Sequence, residues 1–376
     1  MLKVNNMTRK ILVPIIAVLA GFLIGAIVML IFNYQPLLAY GSMVQGALGN
    51  LASIGETLRQ ATPLIFTALG FSIANTAGFF NIGLPGQALA GWLASIWVAL
   101  AFPNLPGYIL LPLAILAGAA GGAIMGGIPG FLRAYFDTNE VIVTIMLNYT
   151  MLYSSTYLMQ NVMSKKFLTS QDATKSISSN ASLHVDWLSN MFGGSRIHFG
   201  LFLALIALVI MWFLMKKTTL GFEVRSVGLN PFASEYAGMS SKRTIILSMV
   251  ISGTLAGLGG VMEGLGTYQN FFIQTTNLAI GFDGMSVSLL GGGSAIGILL
   301  AALLFSVLKI GGLGMQTGAG VPFEIVNIVI ASIIFFVAID YVIGLLFKKK
   351  KIKEMSREKI AEKTQTETVE HEGGQD

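Results

Sequence analysis

The chain has 376 residues, of which 54% are hydrophobic and only 11% charged, and its mean hydropathy is +0.74. A soluble domain carries about 25% charged residues, so this composition excludes a large water-soluble domain and defines a membrane-protein class. The net charge of +5 is no nucleic-acid footprint, because the basic residues cluster at the ends of apolar runs and in the tail; the absence of cysteine excludes disulfides, thiolate chemistry and cysteine-based metal sites.

A helix needs about 20 apolar residues to cross a bilayer. The first apolar run, Ile11–Phe32, is too long for the core of a signal peptide and lacks a small-residue cleavage site, so it reads as a retained span. Further spans are predicted at Thr62–Ala77, Gln87–Phe102, Tyr108–Leu132, Val141–Gln160, Phe199–Met215, Thr244–Leu265, Asn277–Leu290, Ala295–Gly311 and Glu324–Phe347. The expected fold is all-α: a polytopic integral membrane protein of about ten transmembrane helices, some short or broken. Residues 1–347 form the membrane domain, interrupted by polar loops at 161–198 and 216–243, and residues 348–376 form a basic-to-acidic tail.

Charge sets the expected orientation. Lys3, Arg9 and Lys10 precede the first span, Lys216, Lys217, Arg225, Lys242 and Arg243 lie in the second polar loop, and Lys348 to Lys351 open the tail. With ten spans, these groups share one side with Arg133, whereas Arg59, Lys165, Lys166, Lys175, Arg196 and Lys309 fall toward the other. The positive-inside rule then places both termini and loop 216–243 in the cytoplasm and loop 161–198 outside. His184 and His198 read as polar rim residues of that outer loop, and no metal site is expected.

Four stretches carry candidate function. "NTAGFFNIGLPGQALAGW" (Asn75–Trp92) interrupts an apolar run with Asn75, Asn81, Gln87 and several glycines. It is either a tight turn with capping amides or a broken segment beside a path, since non-helical backbone at membrane depth survives only when buried in protein or lining a watery cavity. In "TNEVIVTIMLNY" (Thr138–Tyr149), Thr144 and Asn148 lie with Ser155 on one helix face, suited to interhelical hydrogen bonds or to lining a path. "VRSVGLNPFASEYAGMSSKR" (Val224–Arg243) is punctuated like a short helix: Asn230 caps, Pro231 takes the first position and Gly238 ends it with a left-handed turn. Glu235 and Tyr236 would face water, which suits contact with another protein. "GFDGMSVSLLGGGSAIG" (Gly281–Gly297) is a second glycine-broken passage, and Asp283 lies in or near the membrane, where a carboxylate is a functional candidate by default.

The span beginning at Thr244 carries Ser248, Ser252 and Ala256 on one face and a Gly253/Gly257 pair for close packing, with Glu263 read as interfacial. There is no GxxxxGK[ST] loop to hold ATP, no HExxH and no triad context, so no catalytic residue is assigned. A carrier of an uncharged polar solute, driven from outside the chain, fits these absences. An ion-coupled secondary transporter is the alternative from another class.

"FNIGLPGQ" (Phe80–Gln87), "NEVIVTIMLNY" (Asn139–Tyr149), "VGLNPFASEYAGMSSKRTIILSMVISGTLAGLGG" (Val227–Gly260) and "GFDGMSVSLLG" (Gly281–Gly291) together resemble the permease subunits of ATP-binding cassette importers, in the branch that takes up nucleosides and simple sugars. The resemblance implies a bacterial inner-membrane protein with four partners: a cytoplasmic ATPase that binds the ATP, a second related permease, an external binding lipoprotein and a nucleoside or ribose-like cargo. It also implies that Gly228, Asn230, Pro231, Ala233, Glu235, Tyr236 and Gly238 form a coupling helix on which the ATPase docks. Relatives often carry glutamate where this chain has Pro85, so a carboxylate role at that position does not carry over.

Overall fold

The computed structural model describes residues 6–336. The end of the predicted last span and the tail 348–376 lie outside the described residues. The elements, in order, are α1 (Asn6–Ile31), α2 (Pro36–Leu48), α3 (Leu51–Thr76), α4 (Leu84–Ala101), α5 (Gly107–Phe136), α6 (Glu140–Tyr157), α7 (Asp186–Met191), α8 (Gly200–Lys217), α9 (Thr219–Leu229), α10 (Pro231–Tyr236), α11 (Ser241–Val261), α12 (Ala279–Leu290) and α13 (Ala295–Ala319), followed by the apolar helix α14 (Phe323–Phe336). The ten expected spans correspond in order to α1, α3, α4, α5, α6, α8, α11, α12, α13 and α14. Six of these are long and apolar enough to cross a membrane on length and composition alone. The protein is an all-α, multi-pass membrane protein.

Two departures from the sequence pattern have local causes. The helix α2 was not expected, because its 13 residues are too few for a span and include two glycines. It starts with Pro36 at a first-turn position, where the missing N–H costs nothing. The helix α3 starts at Leu51, well before the expected Thr62. Asn50 caps it by accepting from the Ser53 N–H at 2.8 Å, and the polar first turns are invisible to a hydropathy count.

The 26 residues of α3 span about 39 Å and define the two ends of the bundle. At one end Glu56 accepts from the backbone N–H of Arg196, in the loop before α8. At the other, the corner after Thr76 packs against Gly228 at the end of α9. The two polar loops therefore sit at opposite ends, as the single crossing between them, α8, requires.

The centre is built by small residues. The helices α5 and α11 cross so closely that a Cβ on Gly122 would run into the Gly253 carbonyl, and a Cβ on Gly253 into that of Gly122. Gly253 and Gly257 thus serve packing, where backbone-to-backbone approach replaces the side-chain burial that lipid does not reward. The loop 161–198 is laid onto the chain after α11 by backbone bonds: the Thr174 N–H donates to Phe271 at 2.8 Å, Ile177 to Gln269 at 2.8 Å and Leu183 to Leu265 at 3.0 Å. His184 and His198 pair in an isolated antiparallel bridge. His198 is not a rim residue: it is fully buried.

Candidate functional site

The break between α3 and α4 leads into the bundle rather than around its rim. After Thr76 the chain reverses through Gly78, whose φ of +87° is the left-handed conformation that glycine tolerates without strain. Non-helical backbone then runs inward, with Phe79 and Asn81 buried. The helix α4 begins beside Gly70, where an added Cβ would lie 3.4 Å from the Leu84 side chain. It therefore starts about 9 Å inside the end of α3, taking 1.5 Å per residue.

A helix that begins inside a bundle has N–H groups with no water to satisfy them, and amide side chains fill the need. Asn81 Oδ1 accepts from the Gly83 N–H at 2.9 Å, and Asn148 Oδ1, from α6, accepts from the Gly86 N–H at 2.9 Å. Asn148 Nδ2 donates to the Ile82 carbonyl at 2.8 Å. Asn81 Nδ2 donates to Gln87 Oε1 at 3.0 Å and to Ser252 Oγ of α11 at 2.8 Å. Gln87 Nε2 returns a bond to Asn81 Oδ1 at 3.2 Å. Thr144 is fully buried beside Gly83 and donates to the Val141 carbonyl. The structure thus brings Asn81, Gln87, Thr144 and Asn148 together, and adds Ser252.

Asn75 and Asp283 stand apart from that cluster. Asn75 is half-buried on the last turn of α3. The helix α12 also begins in the interior, with Gly281 packed on Pro85 at the start of α4. From this helix Asp283 forms an ion pair with Lys309 of α13, both side chains largely buried. Lys309 is therefore inside the bundle and not toward the rim. Arg59, 5% exposed, and Glu263, 6% exposed, are likewise interior, so Glu263 is not interfacial. Arg59 donates to Glu56 at 2.8 Å and to Thr267 at 3.2 Å. Glu263 and Thr267 lie on a π-helical turn, Met262–Tyr268, at the end of α11. Arg196 donates to both carboxylate oxygens of Glu56, and that bond holds its guanidinium above the ordinary arginine pKa. Burial pushes the His198 imidazole down to about 3, so it is neutral.

The third region is the segment α9–α10–α11. Asn230 Oδ1 accepts from the Ala233 N–H at 3.1 Å, Pro231 occupies the first turn, and Gly238 has φ +83°. The Gly238 N–H donates to the Glu235 carbonyl at 2.9 Å and the Met239 N–H to Ser234 at 3.0 Å, so local bonds close both ends of α10. Ser234 faces inward, while Asn230, Pro231, Ala233, Glu235 and Gly238 are exposed. The apolar surface at this short helix is open: Leu229, the last residue of α9, is 82% exposed, and Phe232 and Tyr236 of α10 are 76% and 96% exposed. Gly228 differs from its neighbours, because it faces the α3 corner rather than water.

An all-α bundle with helices that start in its interior, an amide cluster at the break and a capped solvent-facing helix between two spans has the parts of a membrane transport permease. The family described as the branched-chain amino acid transport system / permease component matches residues 53–338, and the chain belongs to it. It is 55% identical to the nucleoside ABC transporter permease protein NupB of Lactococcus lactis, over 92% of this chain and 96% of that one. It is 47% identical to the guanosine ABC transporter permease protein NupP of Bacillus subtilis, over 91% and 97%. Identity to the glucose ABC transporter permease protein TsgB13 of Haloferax volcanii is 35%, over 90% of each chain. No solved structure matches the chain. The protein is an ATP-binding cassette importer permease subunit, a transport component embedded in the membrane.

Proposed function

We infer that this chain carries nucleosides across a bacterial plasma membrane, with both termini and α10 in the cytoplasm and loop 161–198 outside. A separate ATPase subunit binds and hydrolyses the ATP, so the chain needs no cofactor of its own. A second related permease completes the pathway, and an external lipid-anchored binding protein delivers cargo. The observation that carries the coupling role is the exposed apolar surface of α10, held rigid by its caps. Apolar side chains left this open on a cytoplasmic knob are a docking surface. Similarity to the nucleoside and guanosine permeases supports the cargo.

Closure of the ATPase would move α10 and switch the path between outward and inward access, through contacts that differ between the two states. Pathway roles for Asn75, Asn81, Gln87, Thr144, Asn148 and Asp283 belong to this reading: the amide cluster shapes the wall of the path at the α3–α4 break. The ion-coupled alternative is disfavoured by the Asp283–Lys309 pair, which occupies one of its candidate carboxylates. Import of a simple sugar by the same machinery is the second reading, favoured by the similarity to the glucose permease.

The deciding measurement is uptake in cells lacking this chain and in cells complemented with it, with unlabelled nucleosides and ribose as competitors. Nucleosides should compete and ribose should not. Competition by ribose alone would transfer the assignment to sugars. Uptake in vesicles driven by an ion gradient without ATP would end the importer reading.

A further inference from the structure

The coupling segment touches the α3–α4 break in two places, at the Thr76–Gly78 corner and at the side chain of Asn81. The first contact is made by α9. A Cβ on Gly228 would run into the Thr76 carbonyl oxygen and would lie 3.0 Å from the carbonyl carbon of Ala77. On the facing side, a Cβ on Gly78 would lie 3.4 Å from the Gly228 Cα. Helix end and corner therefore meet backbone to backbone, with no side chain between them to absorb a displacement. The second contact is made by α11, whose Ser252 Oγ accepts from Asn81 Nδ2 at 2.8 Å.

The helix α10 is tied to both of these neighbours. The Asn230 N–H donates to the Ser226 carbonyl of α9 at 3.0 Å, and Ser241 Oγ of α11 donates to the Pro231 carbonyl at 2.9 Å. A force on α10 therefore reaches the break from two sides. The break itself is suited to move. Part of its backbone bonding goes to amide side chains instead of a helical ladder, so a second arrangement costs less than bending a packed helix.

Resting on the importer reading above and deepening it, we propose that residues 77–83 are the moving part of the gate, displaced by α10 through Gly228 and held by the Asn81–Ser252 hydrogen bond. Gly228 and Ser252 are positioning residues: they act through the break and touch neither cargo nor nucleotide.

The test uses the full chain purified with its ATPase, companion permease and binding protein, and reconstituted in proteoliposomes. Nucleoside imported per ATP hydrolysed is measured together with the amount of ATPase that co-purifies, for the wild type, Gly228→Ala and Ser252→Ala. Ser252→Ala, and Gly228→Ala in so far as it assembles despite the clash of its Cβ with the Thr76 carbonyl, should retain the ATPase and hydrolyse ATP, while import per ATP falls about fivefold or more, the scale of a modest coupling free energy. A merely structural role lowers import and hydrolysis together, through the amount of assembled complex, and leaves their ratio unchanged; that result overturns the proposal. If Gly228→Ala does not assemble, Ser252→Ala decides, since it deletes one hydroxyl and no packing bulk: an unchanged ratio overturns the gate and leaves the importer reading standing. Import by the wild-type complex without ATP overturns both.

Discussion

Replacing Asn148 by leucine tests whether the amide cluster is held together as the hydrogen bonds indicate. Leucine keeps asparagine's branched four-atom side chain, with two bulkier methyl groups in place of the amide oxygen and nitrogen, but offers no polar atom. The change removes the acceptor for the Gly86 N–H and the donor to the Ile82 carbonyl. Each buried backbone group left unpaired costs about 1–3 kcal/mol. Gly86 is buried and bears the full cost, whereas Ile82 is half-buried and its carbonyl bears less of it. The sum is about 2–4 kcal/mol, a large fraction of the stability of a typical domain. The assay is detergent thermal denaturation of the purified chain, alongside membrane abundance and uptake. The apparent midpoint should fall clearly and abundance should fall with it. A midpoint and abundance equal to wild type, with uptake lost, would refute this reasoning and make Asn148 a cargo contact that bears no structural weight.

Other outcomes follow from the same geometry. Asn230→Ala removes the cap of α10, worth about 1 kcal/mol, and should reduce co-purification of the ATPase while leaving chain abundance unchanged; undiminished co-purification would count against α10 as the docking element. Lys309→Met leaves the Asp283 carboxylate without its partner in the bundle, a cost of about 3–5 kcal/mol, so abundance in the membrane should drop, and pairing it with Asp283→Asn should restore most of it. Gly253→Leu should abolish folded protein, because the Gly122 carbonyl occupies the space of its Cβ; normal abundance would refute the close crossing of α5 and α11. His198, held neutral by burial at a pKa of about 3, binds a proton in the unfolded chain below about pH 6.5. Its contribution to stability is therefore complete above that pH and is lost as pH falls toward 3. The melting midpoint should drop between pH 7.5 and pH 5, and His198→Gln should drop less.

Much of the architecture is legible in the residues themselves. The ten apolar runs match ten helices in order, since a run of about 20 apolar residues has few alternatives in lipid. The ends of α10 are readable for the opposite reason: Asn230, Pro231 and Gly238 act on groups within a few positions of themselves, so their spacing is their geometry. The helix α2 escapes because it is short and glycine-interrupted. The burial of His198 and Glu263 escapes because it depends on segments distant in sequence, such as the chain at Gly266 that packs against the His198 ring.

The amide cluster divides along the same line. Asn81, Gln87, Thr144 and Asn148 stand out as polar residues in apolar runs, but whether they cap a tight turn or stand in a break depends on where α4 begins. Asn81 and Ser252 are 171 positions apart, and Asp283 and Lys309 sit on separate helices. The order of the apolar helices, the capped helix and the small-residue seams can be read from the residues, because lipid and local hydrogen bonding act on neighbours along the chain. Which polar groups meet is set by packing, because each desolvated N–H and carboxylate is satisfied by whichever helix is brought against it.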